Sequence, residues 1–175
     1  MRFLSRLSAL VFSLFLLSCS NGEKVVQMPS LDGIGLSGLY AGRIGERLFV
    51  AGGCNFPDKP LTEGGKKAFH DEIWALGDNG WDLMGTLPEP SAYGAYFCSG
   101  DGLLIMGGAN ANGSLDKAWM LSTENGVEEL DPLPKPLEQA AWYTTGESLF
   151  LAGGLSNGEA SLDVFEFKEG QWKVI

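Results

Sequence analysis

Leu48-Phe49-Val50-Ala51-Gly52-Gly53 is a short apolar run closed by a glycine pair, and it recurs as Leu103-Leu104-Ile105-Met106-Gly107-Gly108 and Leu149-Phe150-Leu151-Ala152-Gly153-Gly154. Each copy follows a turn signal: Gly45-Glu46, Ser99-Gly100-Asp101-Gly102 or Gly146-Glu147. Runs this short, flanked by glycine, read as buried strands rather than helices. Self-similarity at a fixed period decides an architecture before any local feature does.

The spacing puts the copies in register. Trp119 lies eleven residues after Gly108, and Phe165 lies eleven after Gly154. Trp74 lies twenty-one after Gly53. From Gly53 to Trp81 is twenty-eight residues, against eighteen from Gly154 to Trp172. The first copy therefore matches the others with ten residues inserted between Gly53 and Asp71. The glycine pairs then recur every 45 to 46 residues, the length of one four-stranded propeller blade.

Each unit also carries a strand order. An inner run comes first (Leu36–Arg43, Ala92–Cys98, Gln139–Thr145), and the glycine-pair run is second. A third strand holds Ile73–Leu76, Ala118–Leu121 or Val164–Phe167, and a fourth starts at Trp81, Val127 or Trp172. Turns such as Asp78-Asn79-Gly80 and Glu124-Asn125-Gly126 suit tight hairpins, because their second position needs a positive φ. Leu87-Pro88-Glu89-Pro90 and Leu133-Pro134-Lys135-Pro136 end the fourth strands, since proline cannot join a ladder. The glycine pairs allow backbones to approach where a Cβ would clash.

The start of the chain reads differently. Arg2 and Arg6 precede an apolar stretch, Leu7 to Leu17, closed by Leu16-Leu17-Ser18-Cys19. That order is a secretory signal, too short to span a bilayer comfortably. A Cys directly after Leu-Leu-Ser resembles a bacterial lipobox, which implies lipidation of Cys19 and an exported lipoprotein of the periplasm or outer membrane. An ordinary signal peptide with a chance Cys is the alternative. The expected organisation is a signal over residues 1–18, a tether over 19–30, blade one over 31–90 with an inserted loop at 54–70, blade two over 91–136 and an incomplete blade three over 137–175. The net charge is −10 with no Lys/Arg cluster, which argues against nucleic acid and for solubility. Cys54 and Cys98 share no metal-ligand spacing and read as two buried free thiols, with a disulfide as the export-permitted alternative. No metal and no cofactor is expected, and the membrane is met only through the lipid.

The whole pattern resembles the kelch repeat, and residues 36–121 resemble the bacterial N-acetylneuraminate epimerases, or sialate mutarotases, most of all their cyclically permuted branch. The pieces that carry this are Ala51-Gly52-Gly53-Cys54-Asn55-Phe56-Pro57-Asp58-Lys59-Pro60, Glu63-Gly64-Gly65-Lys66-Lys67-Ala68-Phe69-His70-Asp71 and Ala92-Tyr93-Gly94. The resemblance implies an all-β, kelch-type β-propeller, here about three four-stranded blades, half of a six-bladed whole. It also implies an isomerase that interconverts anomers of N-acetylneuraminate or a related sugar acid. The Glu and Arg proposed to act in that family have no matching segment in this chain.

Such chemistry needs an acid/base pair for the anomeric hydroxyl and ring oxygen, and a cation or N–H array for the carboxylate. The inserted loop offers both. His70 is the residue whose ordinary pKa suits proton shuttling near neutrality, and Glu63 is a second acid/base candidate. Asn55, Lys66 and Lys67 are candidate substrate ligands, with Phe56 and Phe69 for stacking. Arg43 either enters the channel or pairs with Glu46. Tyr93 and Tyr96 face opposite sides of a period-two strand, so at most one sees the channel, and the resemblance at Ala92-Tyr93-Gly94 implies Tyr93. Glu138 is a spare acid, and Asn110 and Asn112 read as turn chemistry. The alternatives to an enzyme are a non-catalytic kelch binding or scaffold module and an inactive truncated product. Three blades alone leave apolar faces bare, so the chain is expected to aggregate or to pair with a second copy into a six-bladed whole.

Overall fold

The computed structural model describes residues 29–31, 35–99 and 102–175. The expected signal sequence, the expected lipidation site Cys19, residues 19–28 of the expected tether and the expected Gly100-Asp101 turn lie outside these residues.

Three antiparallel sheets of four strands follow one another, each with a two-stranded ribbon. In the first, β1 (Tyr40–Ile44) and β2 (Arg47–Ala51) form a hairpin, β3 (Cys54–Asn55) and β4 (Ala68–Phe69) form the ribbon, and β5 (Glu72–Gly77) and β6 (Gly80–Thr86) complete the order β1-β2-β5-β6. The second repeats this with β7 (Ala95–Ser99), β8 (Gly102–Met106), β9 (Ala109–Asn110), β10 (Gly113–Ser114), β11 (Ala118–Ser122) and β12 (Gly126–Glu129). The third does so with β13 (Ala141–Thr144), β14 (Leu149–Ala152), β15 (Leu155–Ser156), β16 (Glu159–Ala160), β17 (Val164–Lys168) and β18 (Gln171–Val174). These are three β-propeller blades.

The core lies between blades, and β8 shows why its sequence is apolar throughout. All five of its residues are buried. Leu103 and Ile105 pack toward blade one with Tyr40, Phe49, Ile73 and Trp119. Leu104 and Met106 pack toward blade three with Leu137, Leu151 and Phe165. A strand covered on both faces has no polar side to show, so alternation disappears. Each such fully buried side chain contributes about 1.5–3 kcal/mol.

The glycine pairs stitch one blade to the next. Gly53 N–H donates to the Ser91 carbonyl, and Gly108 N–H to that of Leu137, both at 2.8 Å. A Cβ on Gly52 or Gly107 would collide with those same carbonyls. Gly52 and Gly107 also sit at φ +60 and +64, where a side chain is disfavoured.

Beneath this junction the Tyr40 hydroxyl meets Ser91 Oγ at 2.6 Å and accepts from the Gly94 N–H at 3.3 Å. Burial pushes its phenol up to about 12, because the anion would lose its hydration.

Two expectations are corrected. The inner strands start later than their apolar runs, at Tyr40, Ala95 and Ala141. The reason is a left-handed residue in each run, Gly38, Tyr93 or Gln139, which breaks the extended chain. Cys98 is exposed, whereas Cys54 is buried; both are free thiols. Cys98 lies on β7 against Gly42, at the rim of the blade interface.

Candidate functional site: the widened ribbon of blade one

The ten-residue insertion is a widened ribbon. In blades two and three, two residues join the ribbon strands: Ala111-Asn112 and Asn157-Gly158. In blade one, residues 56–67 do so, twelve in all. The loop closes on itself. Leu61–Glu63 form a 3₁₀ turn, capped by Gly64 at φ +79 with its N–H on the Leu61 carbonyl at 2.9 Å. Gly65 N–H then donates to Pro60 O at 3.0 Å, and a Cβ on Gly65 would strike the Lys59 carbonyl. The Gly64-Gly65 pair is thus a local folding requirement.

A cleft of about 860 Å³ opens between this loop and the start of blade two. Cys54, Asn55, Phe56, Lys59, Lys67 and Tyr93 are among its lining residues. Tyr93 is held by its backbone at φ +66, with its N–H on Gly38 O at 2.9 Å and its carbonyl accepting from Gln139 N–H at 2.7 Å. Gly38 makes room for the ring: a Cβ there would sit 2.5 Å from Tyr93 Cδ1. The Tyr93 hydroxyl accepts from the Cys54 thiol at 2.9 Å and from Lys67 Nζ at 3.3 Å. Lys67 Nζ also stands 4.9 Å from the Tyr93 ring centroid and 5.7 Å from that of Phe69, within cation–π range. A phenol oxygen has two lone pairs and one proton. With both lone pairs engaged, its proton is free for a third partner.

The structure brings Asn55, Phe56, Lys67 and Tyr93 together and leaves His70, Glu63, Lys66, Arg43 and Phe69 outside the lining. His70 reaches the cleft through Asn55: its Nε2 is 3.0 Å from Asn55 Oδ1, and its Nδ1 is 3.5 Å from Glu72 Oε2. Its backbone is fixed by Gly53 O at 2.9 Å and Ser91 N–H at 3.0 Å. Glu63 and Lys66 are exposed on the loop. Arg43 lies at the hairpin end of β1, paired with Glu46 at 2.6 Å and bonded to Gly45 O at 2.9 Å. Tyr96 packs edge-on against Tyr40 at 5.9 Å in the core. Asn110 accepts the Asn112 N–H at 2.8 Å as an Asx turn. Glu138 accepts from Ser114 Oγ at 3.0 Å. Sequence reasoning missed Lys59 as a second lining cation and the Tyr40–Ser91 pair beneath. The Asp58-Lys59 step inside the matching segment was the available signal for the first. Tyr40, where the other inner strands place Ala95 and Ala141, was the signal for the second.

The family described as "NANM: N-acetylneuraminate epimerase" matches residues 22–128. The "N-acetylneuraminate epimerase" of Brucella melitensis is 34% identical over 108 residues, which cover 54% of this chain and 28% of that protein. The protein of that name from Vibrio cholerae is 36% identical over 98 residues, covering 50% and 26%. The matched stretch therefore spans about a quarter of these relatives' length. The solved structure titled "Structure of YjhT" superposes with a TM-score of 0.73 at 15% identity, covering 86% of this chain and 54% of that one. That likeness shows a shared fold.

Proposed function

The chain belongs to the N-acetylneuraminate epimerase family, and from that premise we propose that the blade-one cleft is one wall of a site that binds N-acetylneuraminate and interconverts its anomers. The observation that carries this is the convergence of Lys67, Tyr93 and Asn55 on one cleft from two blades. Lys67 meets the carboxylate on the anomeric carbon, where a charge-assisted contact is strongest. Tyr93, with its two acceptor sites occupied by Lys67 and Cys54, gives its proton to the ring oxygen as the bond from that oxygen to the anomeric carbon breaks. Solvent water takes the proton of the anomeric hydroxyl, whose oxygen becomes the keto oxygen, and returns a proton to Tyr93; closure on the other face reverses both transfers. Asn55 binds a neutral hydroxyl or amide of the sugar, and His70 acts as its positioning residue. Phe56 and Phe69 offer apolar faces. The leader through Cys19 supports a place outside the cytoplasm, tethered by lipid; loss of fatty-acid labelling in Cys19→Ala tests this.

NMR exchange spectroscopy of the N-acetylneuraminate anomers tests the activity. Equilibration faster than in buffer alone is expected. A non-catalytic binding role is the second reading, favoured because the acid/base candidates Glu63 and His70 lie outside the lining. Binding without acceleration selects it.

A further inference from the structure

Among the described residues, four with side chains keep a left-handed backbone, and two of them have no hairpin to explain it. Asn157 (φ +51) and Glu169 (φ +52) begin the two-residue turns Asn157-Gly158 and Glu169-Gly170, whose geometry demands a positive φ. Tyr93 (φ +66) and Gln139 (φ +56) instead follow the bridges Ala92↔Ala109 and Glu138↔Leu155. At the equivalent position, after the bridge Ser37↔Cys54, blade one has Gly38 at φ +64.

The three are joined in series. Tyr93 N–H donates to Gly38 O at 2.9 Å, and Gln139 N–H donates to Tyr93 O at 2.7 Å. Glycine satisfies this ladder in blade one, so the backbone alone does not require Tyr or Gln in blades two and three. A left-handed residue with a Cβ is strained. Strain of this kind outside turns gathers at ligand sites, where it aims a side chain. For Tyr93 the aim is visible, because its hydroxyl stands in the cleft. Gln139 is the next rung. It is exposed, and its side-chain amide forms no hydrogen bond with another described residue, whereas its neighbour Glu138 is tied to Ser114.

We infer that Gln139, outside the cleft lining itself but bonded through its N–H to the Tyr93 carbonyl, is a specificity-determining residue at the edge of the same site, its amide hydrogen-bonding a neutral hydroxyl or N-acetyl group of the sugar acid whose carboxylate meets Lys67. This rests on the N-acetylneuraminate reading above. An amide both donates and accepts, which suits a polyhydroxylated, uncharged part of a ligand rather than its carboxylate. Gln139 keeps a strained conformation because that conformation places the amide.

The test titrates N-acetylneuraminate into the full chain by NMR and measures melting for Gln139→Gly, Gln139→Ala and the control Glu169→Gly. Gln139→Gly raises Tm by about 2–4 °C as strain is relieved, yet weakens binding about three- to tenfold, the value of one good hydrogen bond. Gln139→Ala weakens binding to the same degree with no gain in Tm. Glu169→Gly gives the gain in Tm and leaves affinity unchanged. Affinity within about twofold of wild type in both Gln139 variants overturns the inference and leaves the N-acetylneuraminate reading standing. A wild-type chain that does not bind the sugar overturns the reading itself, and the inference with it.

Discussion

The Lys67 ammonium stands 3.3 Å from the Tyr93 hydroxyl and 4.9 Å from the centroid of its ring. The two residues come from different blades, so the pair forms only where the long ribbon loop of blade one reaches the first residues of blade two. It places a cation and a proton donor side by side in the cleft.

Removing either half has a different signature. Lys67→Met deletes the charge and weakens N-acetylneuraminate binding about tenfold or more, the scale of a charged hydrogen bond. Tyr93→Phe keeps the ring under the cation but strips the acceptor from the buried Cys54 thiol. It costs about 1 kcal/mol of stability as well as affinity. Isothermal titration and thermal melting of both variants separate the two effects.

Gly65→Ala damages the loop and spares the blades. The new Cβ meets the Lys59 backbone, which cannot move aside as a flexible side chain would. Residues 56–67 contribute no fully buried side chain, so Tm changes by less than about 2 °C, while amide exchange in the loop rises and sugar binding falls. Hydrogen exchange resolved by residue checks the outcome.

Much of this was legible beforehand, and for identifiable reasons. Gly53, Gly108 and Gly154 gave the period, because each closes the second strand of its blade, and the contact of the pair with the next blade repeats from Gly53–Ser91 to Gly108–Leu137. The insertion length was legible too, since Cys54 and Asn55 of β3 pair with Phe69 and Ala68 of β4 however long the loop between them. The ribbons themselves were not, because two-residue strands such as Ala109–Asn110 leave no periodicity. Within the loop, composition named Lys66 and Lys67 alike. Both are exposed, and what separates them is three-dimensional: Lys67 lines the cleft and reaches the Tyr93 hydroxyl, and Lys66 lies outside the lining. Arg43 was two-sided in the sequence, and the hairpin with Glu46 accounts for it.

Tyr40 makes stability fall at high pH. Its folded value is raised to about 12 from an ordinary 10.0, so its neutral form is favoured by folding. That contribution is fully present below pH about 10 and is lost as pH rises through about 12. A raised value of this size corresponds to about 2–3 kcal/mol. The stability gap between wild type and Tyr40→Phe, measured by denaturant unfolding, narrows by up to that amount across this window. A gap independent of pH contradicts the assignment.

Gly42 and Cys98 form a coupled pair across the interface of blades one and two. A Cβ on Gly42 collides with Cys98 Sγ and lies 2.9 Å from Leu103 Cδ1. Gly42→Ala costs about 1–3 kcal/mol by overpacking, and Cys98→Ala on that background recovers part of it. A double-mutant cycle is expected to show coupling of about 0.5–2 kcal/mol.

The central claim is that the widened ribbon of blade one and Tyr93 form a sugar-acid site, and chemical-shift mapping tests it most directly. With N-acetylneuraminate titrated into isotope-labelled chain, saturable shifts are expected at Asn55, Lys67 and Tyr93, and Lys67→Met abolishes them at the same sugar concentration. Saturable shifts that fall elsewhere and spare residues 54–70 and Tyr93, or no shifts at all, contradict the account.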